Sequence, residues 1–207
     1  MNPVEGDSPS SARLVRVAAL PAVQWANGRG FTRVIADGSL GLAPTRWRLS
    51  VADLDEPAEF SRIPNVERTL CNLSRGDVVL SICGRPERVK PTEMTRFAGD
   101  AVVSAESVPP DCRVVNLMVS SHVASGELRY VRMRGPLTIS HVGIRAIVLI
   151  DGQASTTHHR LTTRLDTLLL DGTEHLTVNG DAGLLLVRVE LRQNQVGEAI
   201  AEDVITS

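Results

Sequence analysis

The chain has 207 residues, with 22 Lys and Arg against 24 Asp and Glu, so its formal net charge is −2. Apolar residues make up 43% of the chain and aromatic residues only 3%, which is enough for a packed core but too little for base-stacking platforms. This balance excludes a generic nucleic-acid-binding protein and wholesale disorder. No apolar run approaches the roughly 20 residues of a membrane-spanning helix, so we predict neither a nucleic-acid nor a membrane partner.

The start of the chain is polar and contains Ser and Pro, which predicts a disordered tail over residues 1–12. It lacks the basic start and apolar stretch of a secretion signal. The three cysteines, Cys71, Cys83 and Cys112, have no C-x-x-C spacing. An odd number of this kind is typical of buried thiols in a reducing compartment, so we expect a cytoplasmic protein.

Strand signals dominate the rest of the chain. One segment alternates between an apolar face of Trp47, Leu49 and Val51 and a polar face that carries Arg48 and Ser50. Further strand-length runs cover residues 30–36, 66–73, 77–83, 113–119, 128–133, 145–150, 165–170 and 184–191. Most of them are rich in Val, Ile, Leu and Thr, the residues that favour strands.

Five dipeptides predict turns between these strands, because Asn, Asp and Gly tolerate a positive φ. They are Asn27-Gly28, Asp37-Gly38, Asp151-Gly152, Asp171-Gly172 and Asn179-Gly180. Helix evidence is confined to residues 53–60, where Pro57 interrupts it. Many short strands joined by such turns predict an all-β sandwich or barrel, and the polar stretch 120–126 divides the chain into two strand-rich halves.

The sequence offers little for metal or nucleophilic chemistry. The histidines are His122, His141, His158, His159 and His175, all in the second half. Adjacent strand residues point to opposite faces, so His158 and His159 could ligate one metal only from a loop, and no H-x-H pair occurs. There is no G-x-S-x-G elbow either. We therefore predict no metal, no other cofactor and no catalytic nucleophile.

Two polar residues on apolar strand faces indicate a site in the first half. Asn116 shares a face with Val114 and Met118, and leaving a buried amide unpaired costs about 1–3 kcal/mol. Asn116 therefore either ties down a neighbouring loop or lines a ligand cavity. Arg68 shares a face with Leu70 and is either a buried ion-pair partner or an anion contact.

Four blocks of the first half resemble the HutD/Ves family. Its W-x-N-G-x-G-x-T-R-x-I-A string is matched from Trp25 to Ala36, and its W-R-L-S-x-A string from Trp47 to Ala52. An F-S element at 60–61, an R-T-L element at 68–70, an F-x-G-D block from Phe97 and an N-x-M block at 116–118 follow in order. The resemblance is good over residues 14–119 and thin beyond. It departs from the family pattern at Gln24, Ala26, Arg29 and Val115.

The resemblance implies a bicupin, in which two double-stranded β-helix (jelly-roll) barrels pack together. We expect an N-terminal cupin barrel over residues 13–121, which carries the motifs, and a C-terminal cupin-like barrel over 122–207. It also implies a non-enzymatic regulator or small-molecule binder. Its ligand would be an anionic metabolite, for example a histidine-catabolism intermediate such as urocanate or formiminoglutamate. Cupin enzymes usually hold a metal with an H-x-H…E…H set, which this chain lacks.

Strand periodicity and a cupin cavity together predict a pocket in the first barrel. In this prediction Arg48 recognises a ligand carboxylate, Thr32, Ser50 and Asn116 are neutral partners, and Trp25 is an apolar wall. Asn27 lies with Thr32 at the mouth. The full predicted ligand-binding set is Trp25, Asn27, Thr32, Arg48, Ser50, Arg68, Asn116 and Met118.

Two other functions stay open at this stage. A metal-independent cupin isomerase or lyase acting on a small carboxylate would need a general base, and the first half offers Asp53, Glu67, Asp77 and Asp100. An interaction scaffold would use its barrels as surfaces, and a homodimer across a sheet edge would fit that role.

Overall fold

The computed structural model describes residues 12–39, 46–139, 143–171 and 175–192. The disordered tail predicted for residues 1–12 therefore lies outside the described residues, apart from Ala12. Within these ranges the chain forms sixteen strands and one short 3-10 helix at Val17–Ala19, and no α-helix occurs in them. The prediction of an all-β chain is confirmed.

The strands of the first half are β1 (Arg13–Val15), β2 (Val23–Gln24), β3 (Gly30–Ser39), β4 (Arg46–Leu54), β5 (Ala58–Glu59), β6 (Val66–Asn72), β7 (Val78–Ile82), β8 (Arg85–Val89), β9 (Met94–Ala98), β10 (Val103–Ser107) and β11 (Cys112–Ser120). The strands of the second half are β12 (Ala124–Ile139), β13 (Ile144–Ser155), β14 (Arg160–Leu161), β15 (Thr167–Leu169) and β16 (Leu176–Leu191).

The strands form three antiparallel sheets, which we group as two units and call the first and the second barrel. The first barrel consists of a six-stranded sheet in the order β2-β3-β4-β11-β6-β9 and a four-stranded sheet in the order β5-β10-β7-β8. The second barrel is a sheet in the order β1-β15-β13-β16-β12, to which β14 adds beside β13. The last strand of the first barrel, β11, ends at Ser120, and the next strand, β12, begins at Ala124. The short strand β1 is the exception to this chain order, because it pairs with β15 of the second barrel.

Strand alternation divides the side chains of β4 and β11 between two cores. Trp47, Leu49 and Val51 are buried on one face, together with Leu117 and Val119 of β11. This face packs against the second barrel in a shared core that includes Val148, Leu185 and Val187. The opposite face of β4 and β11 points into the first barrel. At one end of these strands this face packs on the four-stranded sheet, and at the other end it carries polar side chains.

Three of the five predicted turns are wrong, because the strands are longer than the sequence suggests. Asp37-Gly38 lies inside β3, Asp151-Gly152 inside β13 and Asn179-Gly180 inside β16. A Cβ on Gly152 or Gly180 would lie 2.1 or 2.2 Å from a main-chain oxygen of the opposing strand. These glycines therefore allow close backbone contact within continuous strands rather than ending them. Asn27-Gly28 forms a turn as predicted, whereas Gly172 lies outside the described residues.

Candidate functional site

A cavity of about 580 Å³ opens in the first barrel on the inward face of the six-stranded sheet. Its lining includes every residue of the set predicted from the sequence: Trp25, Asn27, Thr32, Arg48, Ser50, Arg68, Asn116 and Met118. The structure thus brings together side chains from β3, β4, β6 and β11 and from the segment that precedes β3. The volume lies within the usual range of small-ligand pockets, roughly 300–1,000 Å³.

Strand register explains why these side chains meet. Met118 of β11 lies opposite Arg48 of β4 on one side and Arg68 of β6 on the other. Asn116 lies in the next inward row, opposite Ser50 and Leu70. Directly opposed residues of antiparallel strands point to the same face, so the two rows together form one wall of the cavity.

Arg68 is the charged group buried in this wall, with only 5% of its surface exposed. One guanidinium nitrogen, Nη1, donates a hydrogen bond to the main-chain oxygen of Ser61 at 3.2 Å, while the buried Nε has no hydrogen-bond partner in the part of the chain that the structure describes. The guanidinium carbon lies 5.3 Å from the ring centre of Phe60 and 5.1 Å from that of Phe97. Across the described part of the chain, no carboxylate forms an ion pair with Arg68.

Burial lowers the pKa of the Arg68 guanidinium to about 10, because an apolar environment disfavours the charged form. The group nevertheless keeps its proton at neutral pH. The two stacked rings, whose centres are 6.5 Å apart, hold it by cation–π attraction in place of a carboxylate. The sequence left open whether Arg68 is an ion-pair partner or an anion contact, and this geometry favours the second role.

Asn116 is also buried, with 7% of its surface exposed. Its side-chain oxygen Oδ1 has no hydrogen-bond partner, although the main-chain oxygen of the same residue accepts a weak bond from Ser50 Oγ at 3.5 Å. Within the described structure this side-chain oxygen ties down no loop, so the observed geometry of Oδ1 is compatible with the cavity-lining alternative. Arg68 and Asn116 thus bring a buried unpartnered donor and a buried unpartnered acceptor to the wall of the same cavity.

Arg48 lines the cavity but has its own counter-ion. Its Nη2 lies 2.9 Å from Oδ2 of Asp37, its register neighbour on β3, and about half of its side chain is exposed. Exposed ion pairs of this kind are weakly stabilising and solvent-screened. The sequence assigned the ligand-recognising charge to Arg48, whereas burial and the missing counter-ion favour Arg68.

The segment around Trp25 forms one part of the cavity lining. The indole Nε1 of Trp25 donates a hydrogen bond to Thr32 Oγ1 at 2.8 Å, and its ring meets Phe60 edge-on with 5.9 Å between centres. Asn27 Oδ1 accepts a hydrogen bond from the main-chain nitrogen of Arg29 at 3.1 Å, which fixes the turn. Trp25 is therefore a rigid wall whose orientation is set by Thr32.

Sequence reasoning missed several cavity residues, notably Glu59, Phe60 and Ser61. The F-S element of the family pattern marked residues 60 and 61 but gave them no role. None of the four acids considered as general bases, Asp53, Glu67, Asp77 and Asp100, lines this cavity. Glu59 is its acidic lining residue.

The other predicted features lie away from the cavity. Val115, one of the departures from the family pattern, is fully buried in the core shared by the two barrels. His122 contacts Asn65 Oδ1 at 3.2 Å, and His159 contacts the main-chain oxygen of Ala12 at 3.0 Å. Among the described residues, no three His, Cys, Asp or Glu side chains come together as a metal site. No helix in the described ranges is long and apolar enough to cross a membrane.

Comparisons with known proteins agree with this architecture. A family model described as HutD matches residues 17–186. An uncharacterized protein encoded in the hutC 3' region of Pseudomonas putida is 33% identical over 111 residues, which are 53% of this chain and 58% of that protein. The protein Ves of Citrobacter koseri is 34% identical over 90 residues, 43% of this chain and 47% of Ves. The chain thus spans about half the length of the curated relatives that it matches.

Solved structures support the fold. HutD from Pseudomonas fluorescens SBW25 (formate condition) superposes with a TM-score of 0.75 at 24% identity, covering 88% of this chain and all of that one. A cupin 2 conserved barrel domain protein from Leptotrichia buccalis superposes with a TM-score of 0.55 at 10% identity, covering 86% and 96%. The fold is a cupin fold, as the sequence predicted.

Proposed function

The chain belongs to the HutD/Ves family, and we propose that it binds a small anionic metabolite in the cavity of its first barrel without transforming it. The observation that carries this proposal is the buried guanidinium of Arg68, which no carboxylate neutralises among the described residues. Burying a charge without a counter-ion costs free energy, and such arrangements occur where a ligand supplies the missing charge. A carboxylate is the natural partner, because its two oxygens match the guanidinium fork.

Asn116 adds a second requirement to the ligand. Its Oδ1 is a buried acceptor without a donor, so a bound molecule satisfies it by presenting an N–H or O–H group. The proposed ligand therefore combines a carboxylate near Arg68 with a hydrogen-bond donor near Asn116. The apolar part of such a molecule would lie against Met118, Trp25 and Phe60, which line the same cavity.

Histidine-catabolism intermediates meet both requirements. Urocanate carries a carboxylate and an imidazole N–H, and formiminoglutamate carries carboxylates and a formimino N–H. A relative is encoded in the hutC 3' region of Pseudomonas putida, which supports a link to histidine utilization. We propose this class of ligand as the first to test.

The direct experiment is isothermal titration of trans-urocanate and formiminoglutamate into the purified full chain. trans-Cinnamate serves as a matched control for urocanate, since it keeps the carboxylate and planar shape but has no N–H. We expect binding of at least one N–H-bearing carboxylate, and weaker binding of cinnamate than of urocanate if urocanate is bound. Absence of binding for all carboxylates at millimolar concentration would contradict the proposal.

An enzymatic role has one specific observation in its favour, the carboxylate of Glu59 in the cavity lining. A general base at this position would serve a metal-independent isomerase or lyase. Incubation of the titrated carboxylates with the wild-type chain and with Glu59→Gln, followed by product analysis, distinguishes the two functions. Turnover by the wild type that Glu59→Gln abolishes would establish an enzyme and overturn the non-enzymatic proposal.

A further inference from the structure

A second concavity, of about 830 Å³, lies where the two barrels meet. It shares no lining residue with the first cavity. Arg75 and Arg113 line it from the first barrel, and Arg164 lines it from the second barrel. We call this concavity the arginine cleft. Three guanidinium groups from two barrels thus converge on one space, which is an arrangement that repulsion between like charges opposes.

Hydrogen bonds hold the backbone around Arg75 and the guanidinium of Arg164. Asn72, fully buried, accepts a hydrogen bond from the main-chain nitrogen of Ser74 at 2.8 Å and donates one to the main-chain oxygen of Gly76 at 2.9 Å, so the loop that carries Arg75 is fixed. The guanidinium of Arg164 donates to the main-chain oxygen of Leu73 in the other barrel. The cleft is therefore a preformed feature of the interface between barrels.

The backbone beside Arg164 carries strain. Leu165 adopts a φ of +73°, in the left-handed region that branched, bulky residues avoid. Its side chain is buried in the core that both barrels share, and Asp166 accepts hydrogen bonds from the main-chain nitrogens of Thr162 and Thr163. These contacts fix the loop in the conformation that presents Arg164 to the cleft.

The cleft lining carries three aspartates, Asp53, Asp55 and Asp111, beside its three arginines, so the formal charges of the lining balance. The arginines are nevertheless only partly paired. Asp53 is shared between Arg113 and Arg33, whose Nη1 lies 2.6 Å from Asp53 Oδ2. Asp55 and Asp111 also line the cleft, yet neither forms an ion pair with Arg75, Arg113 or Arg164.

The pKa of Arg164 points the same way. Burial lowers it first, and the positive charges of Arg113 and Arg75 lower it further, while Asp151 acts in the opposite direction. The positive charges of Arg75 and Arg113 therefore act on Arg164 across the cleft.

We propose that the arginine cleft is a second anion site, which binds the phosphate group of a phosphorylated small molecule between Arg75, Arg113 and Arg164. Arginine suits this ligand because its planar fork donates two parallel hydrogen bonds to a phosphate. Since residues of both barrels take part, a bound phosphate ties the barrels together. This inference is independent of the ligand in the first cavity.

The test is titration of inorganic phosphate into the full chain by calorimetry, with thermal unfolding as a second readout and with ionic strength held constant by potassium chloride. A ligand that binds the folded chain raises its melting temperature. We expect phosphate to bind the wild type and to weaken at least fivefold in Arg164→Gln and in Arg75→Gln. Arg75 has no ion pair within the described structure, so Arg75→Gln keeps the fold even if Arg164→Gln loses stability.

Two further variants locate the bound phosphate. Arg85 is exposed on β8 and does not line the cleft, so Arg85→Gln is a matched loss of one positive charge and should bind phosphate like the wild type. Arg68→Met removes the anion contact of the first cavity, so phosphate binding that persists in this variant and weakens in the cleft variants is assigned to the cleft. No phosphate binding to the wild type, equal binding in both cleft variants, or loss of binding in Arg68→Met would each overturn the proposal.

Discussion

Arg48 and Arg68 are register neighbours of the same residue, Met118, from the two strands that flank it. They face the same cavity, yet half-exposed Arg48 pairs with Asp37, whereas Arg68 lies buried between aromatic rings with no carboxylate partner among the described residues. Two arginines on one sheet face thus differ in how deeply they are buried and in whether a carboxylate neutralises their charge. This difference decides which of them can attract an anionic ligand.

Substitution of Arg48 tests how much the arginine that is already paired with Asp37 contributes to ligand binding. We expect Arg48→Gln to change the affinity for a bound carboxylate by less than about threefold, because the Arg48 charge is already paired and half exposed. Isothermal titration of the wild type and the variant measures this. A loss of tenfold or more would show that Arg48, as the sequence alone suggested, is the ligand's main partner.

Asn116→Leu tests the requirement for a hydrogen-bond donor on the ligand. Leucine has nearly the same shape but no acceptor, so a carboxylate with an N–H group should lose about five- to tenfold in affinity. A carboxylate of similar shape without an N–H should lose less than twofold. If trans-urocanate and trans-cinnamate lost affinity equally, Asn116 would contribute to binding only through the shape of its side chain and not through a hydrogen bond.

Binding should depend on pH through Arg68. Because burial lowers the pKa of Arg68 to about 10, its positive charge persists across the neutral range and is lost as the pH rises through that value. Carboxylate affinity should therefore be constant from about pH 6 to pH 9 and fall about twofold at pH 10. Titrations of trans-cinnamate, which has no imidazole of its own, across this range measure the profile, and a decline centred near pH 6.5 would instead indicate a histidine of the protein.

Cysteine reactivity reports on the two cores. Burial raises the pKa of the Cys71 thiol to about 12 and also raises that of Cys112, whereas Cys83 is exposed. Only a thiolate reacts readily with alkylating reagents, so native protein at pH 8 should label at Cys83 and spare the other two. Mass spectrometry of the labelled chain identifies the site. Rapid labelling of Cys71 before unfolding would mean that the core shared by the barrels opens easily.

Much of the fold could be predicted because strand alternation records which face is buried. Trp47, Leu49 and Val51 alternate with Arg48 and Ser50, and the structure buries the first three in the shared core and turns the other two towards the cavity. The lengths of the strands could not be predicted from dipeptides. A Gly after Asp or Asn is compatible both with a turn and with close backbone contact inside a long strand, and only the opposing strand distinguishes them.

For a related reason, the sequence alone could not indicate which of Arg48 and Arg68 is the better candidate for contacting an anionic ligand. Asp37 neutralises Arg48 from the neighbouring strand, and Phe60 and Phe97 enclose Arg68 from segments 8 and 29 residues away along the chain. These are tertiary contacts, and strand periodicity gives the face of a residue but not its partners. Likewise, the pairing of β1 with β15 joins residues about 150 positions apart and leaves no local signal.

The central claim is that Arg68 is kept for a ligand and not for the stability of the fold. Methionine in its place removes a buried charge and still packs against Phe60 and Phe97, so Arg68→Met should raise the free energy of unfolding of the ligand-free chain by about 1–3 kcal/mol. The same variant should weaken carboxylate binding by tenfold or more. Denaturant unfolding and calorimetric titration of trans-urocanate and formiminoglutamate on the two proteins measure both quantities. A destabilised Arg68→Met that binds these carboxylates as tightly as the wild type would contradict the account.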